Sequence, residues 1–72
     1  MNRAWKMLLG RRAVFNLQDG SAVDGVLWDS NKDFVVIKDA ILHEKDIDPI
    51  PMDGEIVIER TKVMFYQFVG GG

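Results

Sequence analysis

The chain has 72 residues, no cysteine, 47% hydrophobic and 28% charged side chains, and a formal net charge of −2. Without cysteine there is no disulfide framework and no thiolate metal site, and the composition is that of a folded chain and not a disordered one. The size allows one domain over residues 1–72 with a small core, for which association with other chains is the remaining source of stability.

The first predicted element is a short helix over residues 2–9. Asn2 supplies an N-cap and Gly10 a stop signal. Trp5, Leu8 and Leu9 fall at i, i+3 and i+4 and form one apolar stripe, with Arg3 and Lys6 off it. Two turns of helix do not persist alone in water, so Trp5, Leu8 and Leu9 are expected to dock on the sheet that follows. The segment has no apolar run long enough for a signal peptide, and nowhere does the chain approach the roughly 20 apolar residues of a membrane span. No membrane partner is expected. Charge is uneven: residues 1–12 hold Arg3, Lys6, Arg11 and Arg12 and no acid (+4), whereas residues 13–72 hold five basic and eleven acidic side chains (−6).

From Ala13 the apolar period changes to two. Ala13, Phe15 and Leu17 alternate with Val14, Asn16 and Gln18 as a first strand, and Asp19–Ser21 forms a tight turn through Gly20. Val23, Gly25 and Leu27 continue one face of a second strand. A glycine inside a strand marks strong bending or close approach of another backbone, so Gly25 is read as a bend residue. Asp29–Asp33 is the next turn. Phe34–Leu42 is apolar on both faces at its start, the pattern of a strand buried on both sides. His43–Gly54, with Pro49, Pro51 and several acids, reads as a long loop. Glu55–Arg60 and Val63–Val69 are two further strands joined at Thr61–Lys62, and Gly70–Gly72 a flexible tail.

The expected fold is mostly β: a short N-terminal helix, then five strongly bent antiparallel strands over residues 12–69 closing as a small SH3-like barrel, which hides most sheet edges. Strict alternation in the last strand puts Val63, Phe65 and Val69 on one face and Met64, Tyr66 and Phe68 on the other. A small barrel has one inside, so the second apolar row calls for a partner. Val57, Val63, Met64, Phe65, Tyr66 and Phe68 are the candidate subunit or partner interface.

This order of elements resembles the Sm/LSm family. Ala13, Phe15, Leu17, Gly20, Val23, Gly25 and Leu27 fill the positions of its first motif, Asp39 stands at the acidic end of its third strand, and "ERTKVMFYQ" is similar to its second motif. The resemblance implies rings in which strand four of one subunit pairs with strand five of the next. In the RNA-binding members an Asn before strand three and an Arg-Gly in the second motif help form the base pocket. Here the Asn position falls on Phe34 or Val35, with Asn31 several residues earlier, and Arg60 is followed by Thr61 in place of Gly. The chain also resembles short Sm-like proteins encoded among the structural genes of tailed bacteriophages of actinobacteria, in a texture that includes Trp5, Leu9, Gly10, Gly54, Arg60 and Gln67.

No catalytic constellation is visible. His43 is the one histidine and reads as a surface residue at a strand end, Ser21 and Ser30 sit in turns, and no Gly-rich loop precedes a helix. Glu44, Asp46, Asp48, Asp53 and Glu55 lack the spacing of a calcium loop and read as a charged surface loop. No enzyme, cofactor or metal is therefore expected. The first expectation is a structural protein that assembles with itself or with other virion proteins, as a minor component of a tailed phage: a head decoration protein, minor head protein or head-to-tail connector, put together in the host cytoplasm. The alternative is an Sm-like ring that binds single-stranded RNA, with Arg60, Asn31, Arg3 and Lys6 as candidate contacts.

Overall fold

The computed structural model describes residues 7–68. Six strands form one antiparallel sheet: β1 (Arg12–Leu17), β2 (Ala22–Ser30), β3 (Phe34–His43), β4 (Ile50–Met52), β5 (Ile56–Glu59) and β6 (Val63–Phe68), with a 3-10 turn at Arg60–Lys62 before the last. The order across the sheet is β4-β3-β2-β1-β6, and β5 pairs with the other end of β3. Mostly β, antiparallel and strongly bent is thus the observed architecture, with one strand more than expected.

The extra strand arises where two prolines disguise it. Residues 50–59 act as a single strand broken in two: Ile50–Met52 pairs with Ala40–Leu42, and Ile56–Glu59 with Phe34–Ile37. Between them Gly54 takes φ +78°, and on β3 the facing bend is at Asp39, with φ +51°. Pro51 stands opposite Ile41. A residue without an N–H is tolerated in β4 because that strand is at the edge of the sheet. The expected loop over 43–54 therefore shortens to the stretch between β3 and β4.

Gly25 shows why the sheet can fold on itself. It pairs with Ala13 of β1, and on its other side the β2–β3 register slips between Asp24 and Val26. A Cβ built at this glycine would lie 2.2 Å from Ile37 Cγ2, 2.9 Å from the Lys38 carbonyl oxygen and 3.2 Å from Ala40 Cα. Ala13, Gly25 and Ala40 thus place small residues inside the bend, where β1, β2 and β3 approach most closely. The larger core side chains, Phe15, Leu27, Val35 and Ile37, fill the space to either side, joined by Val23 and Ile58.

Two expectations about faces are corrected. β3 is not buried on both sides: Val35 and Ile37 are in the core, whereas Phe34 is exposed and Val36 half-buried. In β6 a register shift opposite Asn16 and Leu17 breaks the alternation. Val63 then faces Leu17, and Tyr66 faces Phe15, on the core side, while Phe65 lies opposite Asn16 on the outer side. One inserted residue, Met64, separates Val63 from Phe65 in this way.

No α-helix is found among the elements of the described residues. Asn2 to Lys6 of the expected helix lie outside them, as do residues 69–72, so the docking expected of Trp5 lies outside them too. Met7 and Leu8 have helical backbone, and a turn at Leu9 and Gly10 follows. Gly10 has φ +85°, the conformation that ends a helix, and its N–H donates to the Leu27 carbonyl at 2.7 Å. Leu8 packs against the core, while Leu9 is exposed.

Candidate functional site

The connection between β2 and β3 is a tight structure built around one side chain. Asn31 Oδ1 accepts hydrogen bonds from the backbone N–H groups of Asp33 and Phe34, both at 2.8 Å, and the Asn31 N–H donates to the Phe34 carbonyl at 3.0 Å. This is the local amide capping that makes Asn a turn residue. The turn after β5 is tied onto it. The Arg60 backbone N–H donates to the Asp33 carbonyl at 2.9 Å, its Nε donates to the Asn31 carbonyl, and its Nη2 donates to Ser30 Oγ at 2.5 Å. Ser30 is buried, so this guanidinium reaches across the loop and grips it from the inside.

Two segments 29 and 30 residues apart in sequence are joined here by the Arg60 side chain. Asn31 and Arg60, proposed as RNA contacts from sequence, are thus brought together. Residues 31–33 and 60–62 carry Lys32, Arg60 and Lys62 against Asp33, and Asp29 and Glu59 flank them. Arg3 and Lys6 lie outside the described residues. A cavity of about 170 Å³ opens next to Arg60, lined also by Phe15, Val35, Val63, Met64 and Tyr66. The roles of Ser30 and Phe34 were not legible from sequence, although Ser-Asn-Lys-Asp is a recognisable turn signal.

The second feature is a pair of edges. β5 is paired only with β3, and β6 only with β1, among the described residues. The sheet is open between them. Val57 on β5 is 58% exposed, and on β6 Met64 is 56% and Phe65 51% exposed, with Tyr66 also exposed. Val63 and Phe68 of the expected interface are half-buried against the core. Tyr66 packs between Phe15 and Phe68, at centroid distances of 6.1 and 5.8 Å, and Arg11 stands 5.5 Å over the Phe68 ring.

Several other polar groups have local partners, whereas the Asn16 amide nitrogen is buried without a hydrogen-bond partner. Asp24 lies between Arg12 (2.6 Å) and His43 (3.3 Å), and Arg12 Nη2 also donates to the Asp39 carbonyl at 3.1 Å, bracing the bend of β3. No three His, Cys, Asp or Glu side chains converge as a metal ligand set among the described residues, and none of their helices is long and apolar enough to cross a membrane. At the β1–β2 turn, the Ser21 hydroxyl and N–H both donate to Asp19 Oδ1, at 2.5 and 2.9 Å. The hydroxyl bond first, and the backbone bond second, hold the Asp19 carboxyl below its ordinary value. A carboxyl lowered in the folded state stabilises the fold above its unfolded pKa, and that contribution is lost as pH falls through the folded value. Carboxyl-carbon NMR is expected to show Asp19 titrating below ordinary aspartates, and to move upward in Ser21→Ala; an unmoved titration in that variant contradicts the assignment.

A small, strongly bent antiparallel barrel with a core-facing glycine in β2 and an open seam between its last two strands defines a recognisable class. That fold is Sm-like. No family model and no curated protein matches the chain. Among solved structures it is similar to a heptameric archaeal Sm protein, with TM-score 0.82, 18% identity and coverage of 96% of this chain and 100% of that one. It is similar also to the P. aerophilum SmAP1 heptamer, with TM-score 0.82, 20% identity and coverage of 94% and 90%. The SmAP (LSm) protein from Methanococcus vannielii aligns with TM-score 0.72, 18% identity and coverage of 90% and 89%. At such identity the likeness is one of fold. The expected link to tailed phages finds no support among these three.

Proposed function

We propose that the protein is a non-enzymatic, Sm-like oligomeric ring that binds single-stranded RNA at the end of the barrel formed by residues 31–33 and 60–62. The observation that carries this reading is the grip of Arg60 on Ser30 and Asn31, which joins the loop that carries Lys32 to the turn that carries Arg60 and Lys62. Phosphate contacts dominate RNA affinity, and a net acidic chain needs cations on joined segments to make them. Ring formation repeats these cations around an axis. Assembly is supported by the two open edges, their exposed apolar residues and the heptamers among the similar structures.

The test is a titration of the assembled protein with labelled oligo-uridine and oligo-adenosine over a salt series. Binding is expected to weaken steeply with salt, by about 0.7 logarithmic units per unit of log salt for each phosphate neutralised. Arg60→Ala is expected to cost about tenfold or more in affinity, since a charged group and its loop support are removed together. Arg60→Lys, which keeps the charge without the fork, is expected to fall between. Absence of binding at low salt overturns the reading. The second reading, a ring or docking protein of a virion with no nucleic acid, is favoured by the −6 carried by residues 13–72; it predicts that absence.

A further inference from the structure

The end of the barrel formed by residues 31–33 and 60–62 commits the acceptor of its one side-chain amide to the loop itself. An amide distinguishes bases by offering an acceptor and a donor side by side, and a carboxamide oxygen has two lone pairs. Both of those on Asn31 are directed to backbone N–H groups, of Asp33 and Phe34. Two of the donors of Arg60 are also directed inward, with Nε on the Asn31 carbonyl and Nη2 on Ser30 Oγ. These side chains build the loop. What the loop presents beside them is an aromatic ring: Phe34, at the first position of β3, is 40% exposed. Its position is fixed from both sides, because its N–H is held by Asn31 and its backbone is paired with Glu59, the residue before Arg60.

We propose that Phe34 is the base-binding residue of this site, acting by stacking, and that the protein therefore takes single-stranded RNA with little preference among bases. This inference rests on the RNA-binding reading above. Every base has a π-face, so stacking on an aromatic side chain is tolerant of sequence, whereas hydrogen bonding to base edges is selective. Phe34 has only two side-chain torsions to order, and its backbone is already fixed, so a stacked base loses little to conformational entropy. Lys32, Arg60 and Lys62 supply the cations for the backbone that such a base carries with it. Trp28 provides an internal control. It is an exposed aromatic on β2, away from this loop, with one face of its ring occupied by Lys38, whose Nζ is 3.7 Å from the centroid.

The experiment is fluorescence anisotropy of the assembled protein with labelled oligo-U, oligo-A and oligo-C of equal length at fixed low salt. Wild type, Phe34→Ala, Phe34→Trp and Trp28→Ala are compared, with the oligomer mass of each measured alongside. The wild type is expected to bind the three RNAs within about threefold of one another. Phe34→Ala is expected to lose about tenfold or more on all three with an unchanged salt slope. Phe34→Trp is expected to bind at least as tightly as wild type, and Trp28→Ala to be neutral. A preference of tenfold or more for one base, or wild-type affinity in Phe34→Ala, overturns the stacking assignment while leaving RNA binding intact. No binding of any RNA by the wild type overturns both.

Discussion

Val57→Asp and Phe65→Asp are each expected to abolish assembly, and an equimolar mixture of the two is expected to form a one-to-one dimer and nothing larger. The reason is the geometry of the open seam. β5 offers one free edge and β6 the other, and they are different surfaces. A contact between unlike surfaces is heterologous, and repeated around an axis it closes a ring. A charge on an edge strand is also the device by which proteins prevent edge pairing. Val57→Asp spoils the β5 edge but leaves β6 intact, and Phe65→Asp does the reverse. In the mixture only one productive junction exists, between the intact β5 of one variant and the intact β6 of the other. Both positions are more than half exposed, at 58% and 51%, so neither substitution opens the core. Circular dichroism matching the wild type verifies that the variants fold, and light scattering reads the masses. An interface of like surfaces predicts a different outcome, since mixing then rescues nothing.

Gly25→Ala is expected to be the most destabilising single-methyl change in the chain, at about 2–3 kcal/mol, the upper part of the range for overpacking. The added Cβ meets Ile37 Cγ2 at 2.2 Å, on a β-branched and fully buried side chain with little room to turn, and also the Lys38 carbonyl oxygen at 2.9 Å and Ala40 Cα at 3.2 Å. The last two are backbone atoms of the bend in β3, and moving them disturbs the pairing of β2 with β3 on both sides of the slip in register. For a domain of this size such a loss corresponds to a fall of roughly 10–20 °C in midpoint temperature. Thermal denaturation of the two proteins at one concentration measures it. Gly20→Ala is the informative comparison. Its Cβ meets nothing within 4 Å, so its cost comes only from the backbone conformation at φ +92°. A Gly25→Ala variant as stable as the wild type contradicts the account of how the sheet closes.

The role of Gly25 could be read from the sequence because a glycine at an inward position of an alternating strand has few other meanings. Ala13, Phe15, Val23 and Leu27 were legible for the same reason, being the apolar half of a period of two. What escaped was set by tertiary geometry. β4 was hidden because Pro49 and Pro51 signal a loop locally, while the edge of a sheet accepts Pro51 without loss. The faces of Val63 and Phe65 were misassigned because alternation assumes an unbroken ladder, and the bulge opposite Asn16 and Leu17 changes the phase. At the candidate site, Asn31 and Arg60 were each visible, but not their union. The bond from Arg60 to a serine 30 residues away carries no local signal, and it is this bond that decides which groups are left to face a ligand. In the sequence Phe34 stands out only as a departure from a pattern. The structure gives it a neighbourhood.

The most direct test of the whole account is native mass spectrometry of the wild-type protein at low salt, alone and with a single-stranded RNA of about ten nucleotides. One closed oligomer of a single mass is expected, shifting by the mass of bound RNA when the oligonucleotide is added. A monomer at every protein concentration, or a closed oligomer that takes up no RNA, contradicts it.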